Sequence, residues 1–184
     1  MARVPDPMPN ADAQTQELFD TLAAKRGAID GMYRSLLNYP ELCRHVSDLG
    51  TFLRFGNAAL PASVRELVIL WIAARLEASY EWVKHLPHAR AAGVTTEMIE
   101  GLRTGKPLMG LSPTQEGALE VARCVMQHRS IPASIQDALV KEIGLKAVIE
   151  LVILTGFYEM IAGVIFAFDV PLPAGEKEPF AGPP

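Results

Sequence analysis

The chain has 184 residues, a net charge of −4, and a composition 49% hydrophobic and 21% charged. That is enough apolar material for one packed domain and too little charge for a disordered chain. Its 17 Lys and Arg residues are scattered, with no basic stripe for nucleic acid, and no zinc-finger spacing, phosphate-cradling glycine loop or dinucleotide fingerprint occurs.

Residues 1–12 are polar and proline-rich and read as a flexible arm; they lack the apolar stretch of a signal peptide. Helical spacing of Leu18, Phe19 and Leu22 predicts a helix over 14–26, followed by a shorter one over 29–38. Pro40 suits the first turn of a helix through Phe55, striped by Leu42, Val46, Leu49 and Leu53. Val64–Leu76 is apolar almost all round, the pattern of a buried helix. Ser79 is the predicted cap of the next helix, Tyr80–Ala92, which Gly93 ends. Thr95 caps a helix over 96–103, with Glu97 well placed against the helix dipole, and 104–111 is a loop. Ser112-Pro113-Thr114-Gln115 is a capping box opening a helix to about His128. Helices over 132–143 and 146–168 follow, and 173–184 reads as a flexible tail.

No strand pair with alternating polarity occurs, so the fold class is all-α, with one helical domain over 13–172. The longest apolar run, 67–74, is short of the ~20 residues that span a bilayer, so no membrane partner is expected. Cys43 and Cys124 stand apart without a CxxC partner and read as small buried hydrophobes, which fits a reducing cytoplasm. Glu66-Leu-Val-Ile-Leu70 recurs letter for letter as Glu150-Leu-Val-Ile-Leu154. The repeat is either coincidence among common core residues or the trace of two related helical halves.

The stretch Arg65–Gly93 carries the candidate chemistry. Glu81, His85 and His88 fall at i, i+4 and i+7, on one helix face, and a neighbouring helix could bring Glu66 against them. Histidine exchanges protons near neutral pH, and a buried carboxylate fixes its tautomer. Glu66, Glu81 and His85 are therefore the catalytic candidates, predicted to converge in one buried pocket with His88 at its rim. Arg65, Trp82 and His88 are the candidate substrate contacts. A close carboxylate raises a histidine pKa and burial lowers it; the ion pair is expected to win at His85. Pro87 is expected to kink the helix in the His85–His88 turn. Glu81, His85 and His88 could also ligate a metal, but no further local ligand cluster supports this and none is expected.

The segment LPASVRELVILWIAARLEASYEWVKHLPHARAAGVTTEMIEGL, with IELVILTGFYEMIAGVIFAFDV near the C-terminus, resembles the carboxymuconolactone decarboxylase / alkylhydroperoxidase-D family. The resemblance spans about residues 35–172. It implies an alkylhydroperoxidase-D-like helical bundle that assembles as a homotrimer or hexamer. In the peroxidase branch a Glu precedes a CxxC and a His. Matched position by position, Glu66 and His85 take the Glu and His places, while Ala78 and Glu81 stand where the thiols would be. The resemblance thus implies the Glu/His frame without thiol peroxidase chemistry. The decarboxylase branch implies a cofactor-free acid–base lyase or isomerase acting on a small carboxylate or lactone of aromatic catabolism. Arg65, Arg75, Lys84 and Arg90 are then the candidate cations for the substrate carboxylates. The alternatives are a peroxiredoxin-like antioxidant protein and a helical binding or scaffold protein with a vestigial site.

Overall fold

A computed structural model describes residues 2–27, 29, 31–55 and 58–180. Position 30 of the expected second helix, Met1 of the arm and 181–184 of the tail lie outside the described residues. Among the described residues the regular structure is entirely helical. The α-helices are α1 (Ala13–Arg26), α2 (Gly31–Leu36), α3 (Pro40–Phe55), α4 (Ala62–Leu76), α5 (Ser79–Ala91), α6 (Thr96–Thr104), α7 (Pro113–Met126) and α8 (Ala133–Ala167).

Most boundaries have visible chemical causes. Asp12 caps α1 by accepting from Thr15 N at 2.8 Å, and Thr95 caps α6 by accepting from Met98 N at 3.2 Å. Ser112 and Gln115 form the reciprocal capping box of α7, at 3.2 and 2.9 Å.

Several expectations need correcting. Ser79 is the first residue of α5 rather than its cap: Ala78 holds the cap position without a side-chain bond, and Ser79 Oγ donates to Glu77 O at 3.4 Å. α7 stops at Met126, short of His128, whose φ of 55° is left-handed and ends helical progress. α5 runs through Pro87 as one element. The expectation of two C-terminal helices holds: within α8 they meet at a kink at Gly144, with φ 84° and ψ 156°. Only glycine takes that conformation without strain.

α4 is the axis of the core. Leu67, Val68, Ile69, Leu70 and Ile72 have 0% exposure, each contributing about 1.5–3 kcal/mol by burial. α5, α6, α7 and α8 all pack on α4, and α7 lies along α8. Helix α8 is long and apolar enough to cross a membrane by length and composition, but 56% of its apolar window is buried inside the protein, as in a core helix. A second, smaller core of Leu18, Leu22, Ile29, Leu37 and Cys43 joins α1 and α2 to α3.

The described parts of arm and tail lie on this body. Arg34 forks onto Asp6 at 2.7 and 2.8 Å, and Arg3 N donates to Phe168 O at 2.7 Å. Phe180 meets Trp82 edge-on at 5.2 Å.

The repeated sequence places its two glutamates differently. Glu150, on α8, accepts the N–H groups of Ala59 and Leu60, both at 2.9 Å, and so ties down the chain entering α4. Glu66, on α4, turns instead to α5.

Candidate active site

Glu66, Glu81 and His85 are all buried, at 2%, 3% and 5% exposure. His85 Nδ1 lies 2.9 Å from Glu66 Oε2, and Tyr158 Oη, from α8, lies 3.1 Å from His85 Nε2. Burial pulls the His85 ring down to about 4, against the opposing pull of the Glu66 hydrogen bond, with the Arg54 charge adding to the fall. The expectation that the ion pair would win is therefore corrected: desolvation of a fully enclosed ring outweighs it. Burial alone would raise Glu66, but the hydrogen bond and charge of His85, with Arg54 and Arg65, bring it down to about 2. At neutral pH the pair is a carboxylate and a neutral imidazole. A carboxylate only accepts, so Nδ1 carries the ring proton and donates it to Glu66. The Nε2 lone pair then accepts from the Tyr158 hydroxyl.

Glu81 behaves in the opposite way. Neither of its carboxyl oxygens has a hydrogen-bond partner among the described residues, and burial pushes its pKa up to about 8. It is a neutral acid at pH 7, carrying a proton it can give.

Glu81, His85, His88 and Tyr158 line one cavity of about 270 Å³, together with Arg26, Tyr33 and Arg54. His88 is exposed and its ring centroid is 6.0 Å from that of His85, which puts it at the rim. Two expected substrate contacts lie elsewhere. Arg65 Nε donates to Glu66 Oε1 at 3.1 Å, so it braces the carboxylate from outside the cavity lining. Trp82, at 2% exposure, packs in the core beside Phe180, outside the cavity lining. Among the described residues no group of three His, Cys, Asp or Glu side chains is arranged to hold a metal ion.

Residues 40–123 match the carboxymuconolactone decarboxylase family. No curated protein matches the chain. Two solved structures share the fold. One is an uncharacterized peroxidase-related protein from Silicibacter sp. TM1040, 20% identical, covering 94% of this chain and 92% of its own, with a TM-score of 0.73. The other is an alkylhydroperoxidase AhpD core, an uncharacterized peroxidase-related protein from Ralstonia eutropha JMP134; it is 17% identical over 97% and 94% of the two chains, with a TM-score of 0.76.

The matched segment 40–123 contains Arg54, Glu66, Glu81 and His85, while Arg26, Tyr33 and Tyr158 come from either side of it. Those three, and Arg54, were not singled out from sequence. Tyr158 had one signal, its place on the helix that repeats Glu66–Leu70. Arg26 and Arg54 had none, since each ends an ordinary amphipathic helix.

Proposed function

We propose that the protein is a cofactor-free acid–base catalyst, a carbon–carbon lyase or isomerase acting on a small carboxylate or lactone of aromatic catabolism. The observation that carries this reading is the chain Glu66–His85–Tyr158 ending in a cavity that also holds protonated Glu81. For a carboxylate on the saturated carbon γ to an α,β-unsaturated lactone carbonyl, the C–C bond to the carboxyl group breaks and carbon dioxide leaves. The electron pair enters the carbonyl system, and a proton then returns to a ring carbon. Glu81 supplies that proton, while His85, held in one tautomer by Glu66, takes up protons at Nε2 directly or through the Tyr158 hydroxyl. An isomerisation uses the same groups without loss of carbon dioxide.

The test is NMR in D₂O with carboxymuconolactone and related γ-lactone carboxylates. Turnover or carbon–deuterium exchange that disappears in His85→Gln supports the reading. Absence of both across the panel leaves the scaffold reading the better one.

A second copy of the chain is the partner this reading includes, as a homotrimer or hexamer. Its support is an apolar stripe along α8, Leu145, Ile149, Ile153 and Met160, at 45–56% exposure. These residues recur at helical spacing, and such a continuous patch on a water-exposed face marks an interface. Gly156 and Gly163 lie in the same helix, where an added Cβ would meet nothing within 4 Å. Small residues there let a second helix approach closely. A reducing, cytoplasmic location fits the two buried free thiols.

A further inference from the structure

The cavity contains three polar features that proton transfer through His85 does not use. Arg26 reaches it from the end of α1 and Arg54 from the end of α3. The Nε of each is buried without a hydrogen-bond partner among the described residues. Neither guanidinium pairs with a carboxylate of any described residue. Both lie over the Phe55 ring, Arg26 at 5.6 Å and Arg54 at 4.7 Å from its centroid, so the two cations share one aromatic neighbour. Arg26 is held in place: its Nη2 donates to Ser47 O at 3.0 Å and Thr51 Oγ1 at 2.8 Å, and it covers the Tyr33 ring at 4.5 Å. Glycine at position 50 allows this crowding, since a Cβ there would stand 2.7 Å from Tyr33 Oη and 3.0 Å from Phe157. The third feature is Glu81, with both carboxyl oxygens unpartnered in the same cavity.

Two cations over one aromatic ring, each with a buried, unused Nε donor, are costly unless an anion joins them. A guanidinium presents its donors in a planar fork that matches a carboxylate, and partial burial strengthens the pairing. We propose that Arg26 and Arg54 form a carboxylate-reading subsite, and that the cavity takes a compact monocarboxylic acid whose second polar group, a carbonyl or hydroxyl, meets Glu81. The volume of about 270 Å³ sits just below the range of roughly 300–1,000 Å³ usual for ligand pockets, which limits the ligand to about one ring. Met32, Phe157 and Ile161 supply the apolar wall for its body.

This inference rests on the acid–base reading for the use of the site, but not for its binding chemistry. A bound carboxylate also offsets the field of Arg54 at His85, whose other neighbours are Glu66 on α4, His88 on α5 and Tyr158 on α8. Filling the subsite therefore strengthens the base.

Benzoate and benzamide have nearly the same shape and differ in charge, so calorimetric titration of the unmodified protein with each is the direct experiment. Benzoate is expected to bind at least about tenfold more tightly, and Arg54→Gln to remove that preference while leaving benzamide binding unchanged. Arg54→Lys, which keeps the charge without the fork, falls between. His85→Gln retains benzoate affinity, which separates the subsite from proton transfer: benzoate binding without lactone turnover sinks the acid–base reading alone. Equal binding of benzoate and benzamide, no benzoate binding, or full benzoate affinity in a folded Arg54→Gln protein overturns the subsite.

Discussion

His85 Nδ1 donates to Glu66 Oε2 across 2.9 Å, joining residues 19 positions apart on two different helices. The contact sets which ring nitrogen is free to act, since the proton on Nδ1 leaves the Nε2 lone pair toward Tyr158.

Glu66→Gln replaces an acceptor-only group with one that also donates, so the tautomer is no longer fixed and a developing imidazolium loses its counter-charge. In the lactone assay kcat should fall by about 10²–10⁴, with KM little changed. Wild-type kcat in the variant would remove the carboxylate from the mechanism. Stability shows a separate signature. The folded-state pKa of Glu66 is lowered from 4.5 to about 2. Its contribution is therefore complete above about pH 4.5 and lost as the pH falls toward 2, and this part of the acid limb should be missing in Glu66→Gln.

Glu81 has the reverse sign. Its folded pKa is raised from 4.5 to about 8. Between those values the unfolded chain releases the proton while the folded chain keeps it, so stability falls as the pH rises and levels off above 8. Glu81→Gln keeps the shape and cannot ionise. It should raise Tm at pH 8 by at least about 2–4 °C, the shift that 1 kcal/mol gives in a chain of this size, while lowering kcat. An unchanged Tm across pH 5–8 would show that Glu81 is not held neutral.

Tyr158→Phe removes the hydroxyl that meets His85 Nε2 and leaves a buried ring nitrogen unsatisfied. A stability loss of about 1–3 kcal/mol is expected from denaturant melts. A fall in kcat without a matching rise in KM would mark Tyr158 as part of the proton path; unchanged kcat would reduce it to packing.

No dithiol peroxidase turnover is expected. Ala78 and Glu81 stand at the thiol positions implied by the family resemblance, and burial pushes the Cys43 thiol up to about 11, far from thiolate at neutral pH. Peroxide consumption with a dithiol or lipoyl reductant is the assay. Robust turnover that vanishes in Cys43→Ser or Cys124→Ser would overturn this expectation.

Light scattering at micromolar concentration should give a mass several times the 20.0 kDa of one chain. The pair Ile149→Asp and Ile153→Asp, both on the exposed α8 stripe, should shift it toward one chain without unfolding. A wild-type monomer would count against the assembly.

The helices were legible because each carries its own signals. The Ser112 capping box, the Thr95 cap and the apolar block Val64–Leu76 act within one or two turns. The misreadings came where two local signals competed. Ser79 is a good cap by type, but Ala78 N donates to Ala73 O at 2.8 Å and takes the cap position first. The break between the two C-terminal helices was legible, and the non-helical φ and ψ of Gly144 make the kink there. For the site, the i, i+4 spacing of Glu81 and His85 and the lone carboxylate on an apolar helix pointed to Glu66, Glu81 and His85. Beyond the repeat on its helix nothing marked Tyr158, and nothing marked Arg26 or Arg54.

The sequence by itself determined that the chain is helical, which segments are buried, and that Glu66, burying a charge on an apolar helix, needs a partner. Those follow from periodicity, capping and desolvation, which depend on neighbours in the chain. Only the tertiary structure decided the protonation states and the lining of the cavity. Whether burial or the ion pair governs His85 depends on how completely α3, α4 and α8 enclose its ring. The same enclosure brings Tyr158 against Nε2, leaves Glu81 without a partner among the described residues, and sets Arg26 and Arg54 over one ring, that of Phe55. These are distances between segments far apart in the chain, and electrostatic and desolvation energies depend on those distances rather than on sequence spacing.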